Sequence, residues 1–167
     1  MTTNIITIIA VLISALLTIF ILNSMVNLKL KNKLSENENP ITINLFKAIL
    51  FLCGGIVLNE ISQSFNTVTN VLPALFSDNK LVLNEISYCS IFYGIGLISL
   101  LLIFWSASLM FTIISGGKSV FLEVTNNNLN AVLLFAGLIF AILIAVKPLL
   151  LPIFDQLIPY PNIPTYR

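Results

Sequence analysis

The stretch Ile86–Gly117, ISYCSIFYGIGLISLLLIFWSASLMFTIISGG, decides the fold class. It contains no Asp, Glu, Lys or Arg, and it is well beyond the roughly 20 apolar residues a helix needs to cross a bilayer. Gly116-Gly117 supplies a stop at its end. This is the strongest span, near 86–115. Working outward, a second apolar run closes at Lys147-Pro148 and gives a span near 128–147. Upstream, Ile41 to Leu58 is just long enough, with Pro40 in the place that suits a helix start. Asn44 and Lys47 lie within it, and the span is expected near 41–66. The first run, Ile5 to Val26, has nothing basic before it and no A-x-A after it. A secretory signal would show both, so this is read as a retained helix near 4–28.

The composition agrees. Of 167 residues, 57% are hydrophobic and 9% charged, and mean hydropathy is +1.01. A soluble chain carries about 25% charge. The net charge of +1 offers no basic field for nucleic acid. His is absent, which removes imidazole ligands and bases. Cys53 and Cys89 form neither a CxxC pair nor a disulfide framework; each reads as a small hydrophobe. The reading is an all-α polytopic membrane protein whose solvent and first partner is the lipid bilayer, with no cofactor and no catalytic set.

Lys and Arg in short loops orient such a chain. Lys29, Lys31 and Lys33 follow the first span and Lys118 follows the third, whereas the loop between spans two and three balances Lys80 against Glu60, Asp78 and Glu85. The first and third loops are therefore expected to be cytoplasmic and both termini periplasmic or extracellular, although Lys147 and Arg167 count against this. Low charge with many Ile, Asn and Lys fits a bacterial host, hence a bacterial cytoplasmic membrane.

The two pairs of spans also resemble one another. Leu12-Ile13-Ser14 with Leu16-Leu17 recurs as Leu97-Ile98-Ser99 with Leu101-Leu102; Met25 falls on Met110 and Lys33 on Lys118 at the same offset. With one residue of slippage, Asn44-Leu45 aligns with Asn128-Leu129 and Leu50-Phe51 with Leu134-Phe135. Two-span units share one orientation, so this is a parallel tandem repeat about an axis along the membrane normal. The units are 1–80, with an amphipathic extension over Glu60–Ser77, and 81–155. A Pro-rich tail, 156–167, carries Tyr160 and Tyr166, which suit an interfacial anchor or an extended segment laid against a partner.

The stretch Asn128-Leu129-Asn130-Ala131-Val132-Leu133-Leu134-Phe135-Ala136-Gly137, preceded by Glu123, resembles the signature of the bacterial "domain of unknown function 350" family. The first half carries Asn44-Leu45, Ala48 and Gly54-Gly55 in a weaker version, with Lys47 foreign to it. The resemblance implies four spans in two tandem pairs and supplies no activity.

Several groups remain as candidate sites. Gly137, Ala141 and Ala145 share one helix face, and Ala10, Ser14 and Thr18 make a similar stripe on the first helix. Small residues let helix backbones approach in lipid, either inside the chain or between subunits. Asn44 and Lys47 are intramembrane polar groups, and a charge there is a functional hypothesis by default; near a helix start Lys47 can instead snorkel. No acid is expected at mid-span to pair with it, Glu60 lying at the opposite end. Gly116-Gly117-Lys118-Ser119 has the tail of a phosphate loop, but position 112 is Thr112 and no strand precedes it. The function expected is a small membrane subunit acting by assembly, with itself or with other membrane subunits. The alternative is an oligomeric channel, pore or small transporter, for which Thr7, Ser14, Thr18 and Asn23 would supply a weakly polar lining.

Overall fold

A computed structural model describes residues 2–31, 40–76 and 78–159. The Pro-rich tail from Tyr160, including Tyr166, lies outside the described residues, as does Lys33. Five α-helices form: α1 (Thr2–Leu30), α2 (Pro40–Val71), α3 (Asp78–Ile114), α4 (Val120–Thr125) and α5 (Leu129–Leu157), with a 3-10 turn at Leu72–Ala74. Four of them, all but α4, are long and apolar enough to cross a membrane. Among the described residues there is no strand. The protein is thus an all-α, multi-pass membrane protein.

The helices start and end where backbone chemistry allows. Pro40 opens α2, where its missing N–H is one of the groups a helix start leaves unpaired anyway. Ser119 caps α4 by accepting from the Leu122 amide, and Asn128 caps α5 by accepting from the Ala131 amide. Between α3 and α4 the chain turns through Gly116 and Gly117, with φ of +66° and +91°, a region where a Cβ is strained. The stop expected at this pair is there, and Lys118-Ser119 belongs to the turn and the α4 cap.

Three helices run further than their hydropathy indicates. α2 continues to Val71 and α3 begins at Asp78, because Ile61, Phe65 and Val68 on the one and Cys89 and Phe92 on the other still have a core to fill. The amphipathic extension after Glu60 is therefore, as far as Val71, a continuation of α2. α5 passes Lys147 and holds both Pro148 and Pro152 inside it. The expected closure at Lys147-Pro148 is wrong. Each proline removes one backbone hydrogen bond, and neighbouring helices make that tolerable in a membrane bundle. Here Leu150 and Phe154 remain buried beyond the prolines, and the Phe154 ring meets Phe92 at 5.4 Å.

α2 is the central helix, packing against α1, α3, α4 and α5. Two glycines set its close approaches. A Cβ on Gly54 of α2 would lie 3.0 Å from the Thr18 side chain of α1, and a Cβ on Gly96 of α3 would lie 2.2 Å from Ile61 of α2. α3 and α5 run antiparallel: Phe111 meets Phe135 near one end, and Phe92 meets Phe154 near the other. Phe135 also meets Phe46 and Phe104 at 5.3 and 5.9 Å, which ties α2, α3 and α5 at the end that carries α4. In the arrangement, α2 and α5 are neighbours, and α2 touches α3, but α5 has no contact with α1 among the described residues.

Candidate functional site

Two acidic side chains expected in the loop between spans two and three are inside the bundle. Glu60 lies on α2 with 3% of its surface exposed, and Glu85 lies on α3 with 0% exposed. That corrects their assignment to a loop: both lie within helices long and apolar enough to cross a membrane. The Glu60 carboxylate forms an ion pair with Lys147 of α5, Nζ to Oε1 at 3.0 Å, with side-chain exposures of 42% for the lysine and 4% for the glutamate. A buried charge is tolerable when it is paired, and the half-open ammonium reaches the outside while holding the buried carboxylate. The Asn59 amide donates to the same Oε1 at 3.5 Å. Lys47, which sequence alone singles out, is half-buried on α2 and has no ion pair among the described residues. Asn44, one turn earlier, is exposed.

The pair sits at the end of a groove of about 670 Å³ lined by Ala48, Phe51, Leu52, Gly55, Ile56, Asn59 and Lys147. Sequence reasoning missed it because the partners belong to different helices. The available signal was chemical: an acid and a base, each interrupting an otherwise apolar helix, that cannot both remain unpaired in lipid.

The two small-residue stripes part company. Ser14 and Thr18 are buried at 6% and 3%, and Ala10 is half-buried. The Thr18 hydroxyl donates to the Ser14 carbonyl at 2.8 Å and lies 3.3 Å from the Tyr93 hydroxyl of α3. This stripe is used within the chain and is not a free surface. Gly137, Ala141 and Ala145 are all exposed. The core side of α5 is Val132, Phe135, Ile139 and Leu143, and helical geometry puts the three small residues diametrically opposite it. Nothing lies within 4 Å of the position a Cβ on Gly137 would take.

α2 also turns a distinctive face outward. Asn59, Gln63, Asn66 and Asn70 are exposed at helical spacing, continuing a line begun by Ala48 and Gly55. Asn70 donates to the Asn66 side chain at 3.4 Å.

At the opposite end of the bundle, Glu123 of α4 is 5% exposed and has both oxygens engaged. Oε1 takes Lys118 at 3.5 Å and Oε2 accepts from the Asn128 amide at 2.6 Å. Asn128 Oδ1 accepts from the Ala131 backbone at 3.2 Å. Glu123, Asn128 and Ala131, three of the residues that carry the family resemblance, thus form one cap that fixes the turn into α5. The Thr42 hydroxyl of α2 bonds to the Asn127 side chain in the same turn. Asn127 has φ +56°, in the left-handed region that Asn tolerates better than most residues.

Cys53 and Cys89 are both buried and unpaired by disulfide. Among the described residues no group of three or more His, Cys, Asp or Glu could hold a metal ion. Among the described residues, neither carboxyl oxygen of Glu85 has a hydrogen-bond partner.

No protein-family model matches the chain, and no curated protein or solved structure is detectably similar to it.

Proposed function

We propose that this chain is a small integral membrane subunit that acts by assembly, with copies of itself or with other membrane subunits, and supplies no reaction of its own. The observation that carries the reading is the outward Gly137–Ala141–Ala145 face, which the chain's own packing leaves uncovered. Lipid tails solvate apolar side chains as well as a protein core does, so helix association in a membrane rests on close packing and polar contacts. A smooth face of small residues pointing away from the core is the surface on which a second helix can approach closely. We place the chain in the bacterial cytoplasmic membrane with both termini on the far side, and regard its two halves as a tandem repeat of the kind the family resemblance implies.

Size in nanodiscs or mild detergent tests the reading. Wild type should run as an assembly, and Gly137→Leu or Ala141→Leu should shift it toward the monomer while membrane insertion persists, because both changes raise hydrophobicity. A strictly monomeric wild type with no co-purifying partner refutes the proposal. The second reading, an oligomeric pore, is favoured by the exposed amides of α2, which suit a wet surface better than lipid. Conductance of the purified protein in planar bilayers separates the two.

A further inference from the structure

Three helices place the Glu60–Lys147 pair at one boundary of the hydrocarbon. α2 and α5 both start at the end of the bundle that carries α4, where Thr42 bonds to Asn127. Glu60 lies 20 residues beyond Pro40 and Lys147 lies 19 beyond the Asn128 cap, about 28–30 Å of helix in each case. α3 runs the other way, and Gly96, 20 residues before Gly116, abuts Ile61 next to Glu60. The hydrocarbon core of a bilayer is about 30 Å thick. Between the two levels the exposed residues of the four long helices, among those described, are all apolar or small, as at Phe20, Leu52, Leu102 and Ile144. Beyond the pair the exposed surface is mixed: Gln63 and Asn66 of α2, Ser87 and Ser90 of α3, and Asp155 and Gln156 of α5 stand among apolar residues. The pair therefore lies where acyl chains end and glycerol esters and phosphates begin.

The groove of about 670 Å³ reaches this boundary from the hydrocarbon side. From Ala48 to Ile56 its α2 wall is apolar; Asn59 and Lys147 stand at its end. Gly55 keeps it open, since among the described residues nothing lies within 4 Å of the position its Cβ would take. Glu60 is not one of the walls. Its carboxylate sits behind the ammonium, 4% exposed against 42%, so an amphiphile in the groove meets the cation and not the anion. A lysine ammonium has three N–H donors, and Glu60 takes one. A cation with donors to spare at this depth attracts anionic lipid. The molecule that complements the groove has an acyl chain for its apolar length and a phosphate for its end. A headgroup carrying an ammonium of its own would be repelled by Lys147.

We infer that the groove between α2 and α5 holds an anionic glycerophospholipid of the leaflet away from α4, with one acyl chain along Ala48–Ile56 and its phosphate on the Lys147 ammonium and the Asn59 amide. The inference goes beyond the assembly reading and does not rest on it, because every wall of the groove belongs to one chain. Glu60 cancels part of the lysine's field, so the preference comes from directed hydrogen bonds and is modest in size.

Quenching of tryptophan fluorescence by lipids brominated in their acyl chains tests it, with the full chain reconstituted in bilayers. Trp105→Phe removes the only tryptophan. In that background Leu52→Trp places a reporter in the groove. Phe20→Trp places one on the lipid-facing side of α1 at nearly the same depth, since Thr18 and Leu22 both flank Gly54. Brominated phosphatidylglycerol competes with phosphatidylcholine at each reporter, and the reverse. The expected result is a preference of about fivefold for phosphatidylglycerol at Leu52→Trp and none at Phe20→Trp. With the groove reporter, Glu60→Gln leaves the lysine to the lipid alone and should raise the ratio. Glu60→Gln with Lys147→Met leaves no charge unpaired and should bring it to about one, as should Gly55→Leu, which fills the groove and leaves the ion pair in place.

A preference confined to the groove reporter and lost in the neutral double variant supports the inference. Equal quenching by both lipids at Leu52→Trp overturns it. The same preference at Phe20→Trp also overturns it, because the charge then acts on the whole lipid annulus, and so does a preference that survives in the double variant. Quenching of the groove tryptophan by neither lipid overturns it as well, because another helix then covers the groove. A monomeric wild type that keeps the preference sinks the assembly reading alone. An assembled wild type without the preference sinks the lipid site alone.

Discussion

Removing the lysine of the Glu60–Lys147 pair should cost more than removing the glutamate. The two groups are 3.0 Å apart, which corresponds to about 5.5 kcal/mol of attraction at an effective dielectric near 20. Most of that attraction offsets the cost of taking the charges out of water, so the useful quantity is the effect of breaking the pair. Leaving a buried charge uncompensated costs about 3–5 kcal/mol. In Lys147→Met the group left behind is the Glu60 carboxylate, 4% exposed, so the full effect applies, at the lower end because the Asn59 amide still reaches it at 3.5 Å. In Glu60→Gln the group left behind is an ammonium that is 42% exposed on a flexible stem. It can swing outward, and the cost should be nearer 1 kcal/mol, that of an ordinary lost hydrogen bond. The double variant Glu60→Gln, Lys147→Met leaves no charge unpaired and should recover most of the loss, giving a coupling of about 3 kcal/mol in a double-mutant cycle. Reversible unfolding of the reconstituted protein in a denaturing-detergent titration, followed by far-ultraviolet circular dichroism, provides the four stabilities. Equal costs for the two single variants, or a coupling below about 0.5 kcal/mol, would mean that the pair does not hold α2 to α5, and the reasoning fails.

Two other changes probe the interior. Gly96→Ala should destabilise by roughly 1–3 kcal/mol from overpacking, because its Cβ would lie 2.2 Å from Ile61 Cδ1 and 2.8 Å from Ile61 Cγ1; Ile61→Val removes the first of these atoms and should relieve only part of the cost, whereas Gly94→Ala, with nothing within 4 Å among the described residues, should not destabilise. The same detergent titration reads all three, and a Gly96→Ala protein as stable as Gly94→Ala contradicts the close approach. Glu85→Met should raise stability by roughly 1–3 kcal/mol, the cost of a buried unsatisfied polar group, because both carboxyl oxygens lack partners among the described residues in a fully buried side chain. A loss of stability on that substitution shows that the carboxyl is bonded to something the bundle needs.

What the sequence by itself determines here is membership of a solvent class. A run such as Ile86–Gly117, free of charge, satisfies its backbone in hydrocarbon only as a helix, so four spans follow from composition along the chain, and Pro40, Ser119 and Asn128 mark helix starts by their own local chemistry. Which side of each helix faces the core is a tertiary matter. In water an apolar stripe points inward because the other side must be polar; in lipid, Leu is as well solvated outside as inside. Hence Ala10–Ser14–Thr18 and Gly137–Ala141–Ala145 read alike as sequence, yet the first is packed against Tyr93 and Gly54 and the second faces outward. The same indifference hides helix ends: α5 runs through Pro148 and Pro152 because Phe154 has Phe92 to meet, a contact no local window contains. Glu60 and Lys147 each look like a span boundary in isolation. Only the packing of α2 on α5 makes them one neutral pair, because the cost of a charge in a low-dielectric interior is decided by what stands beside it in space.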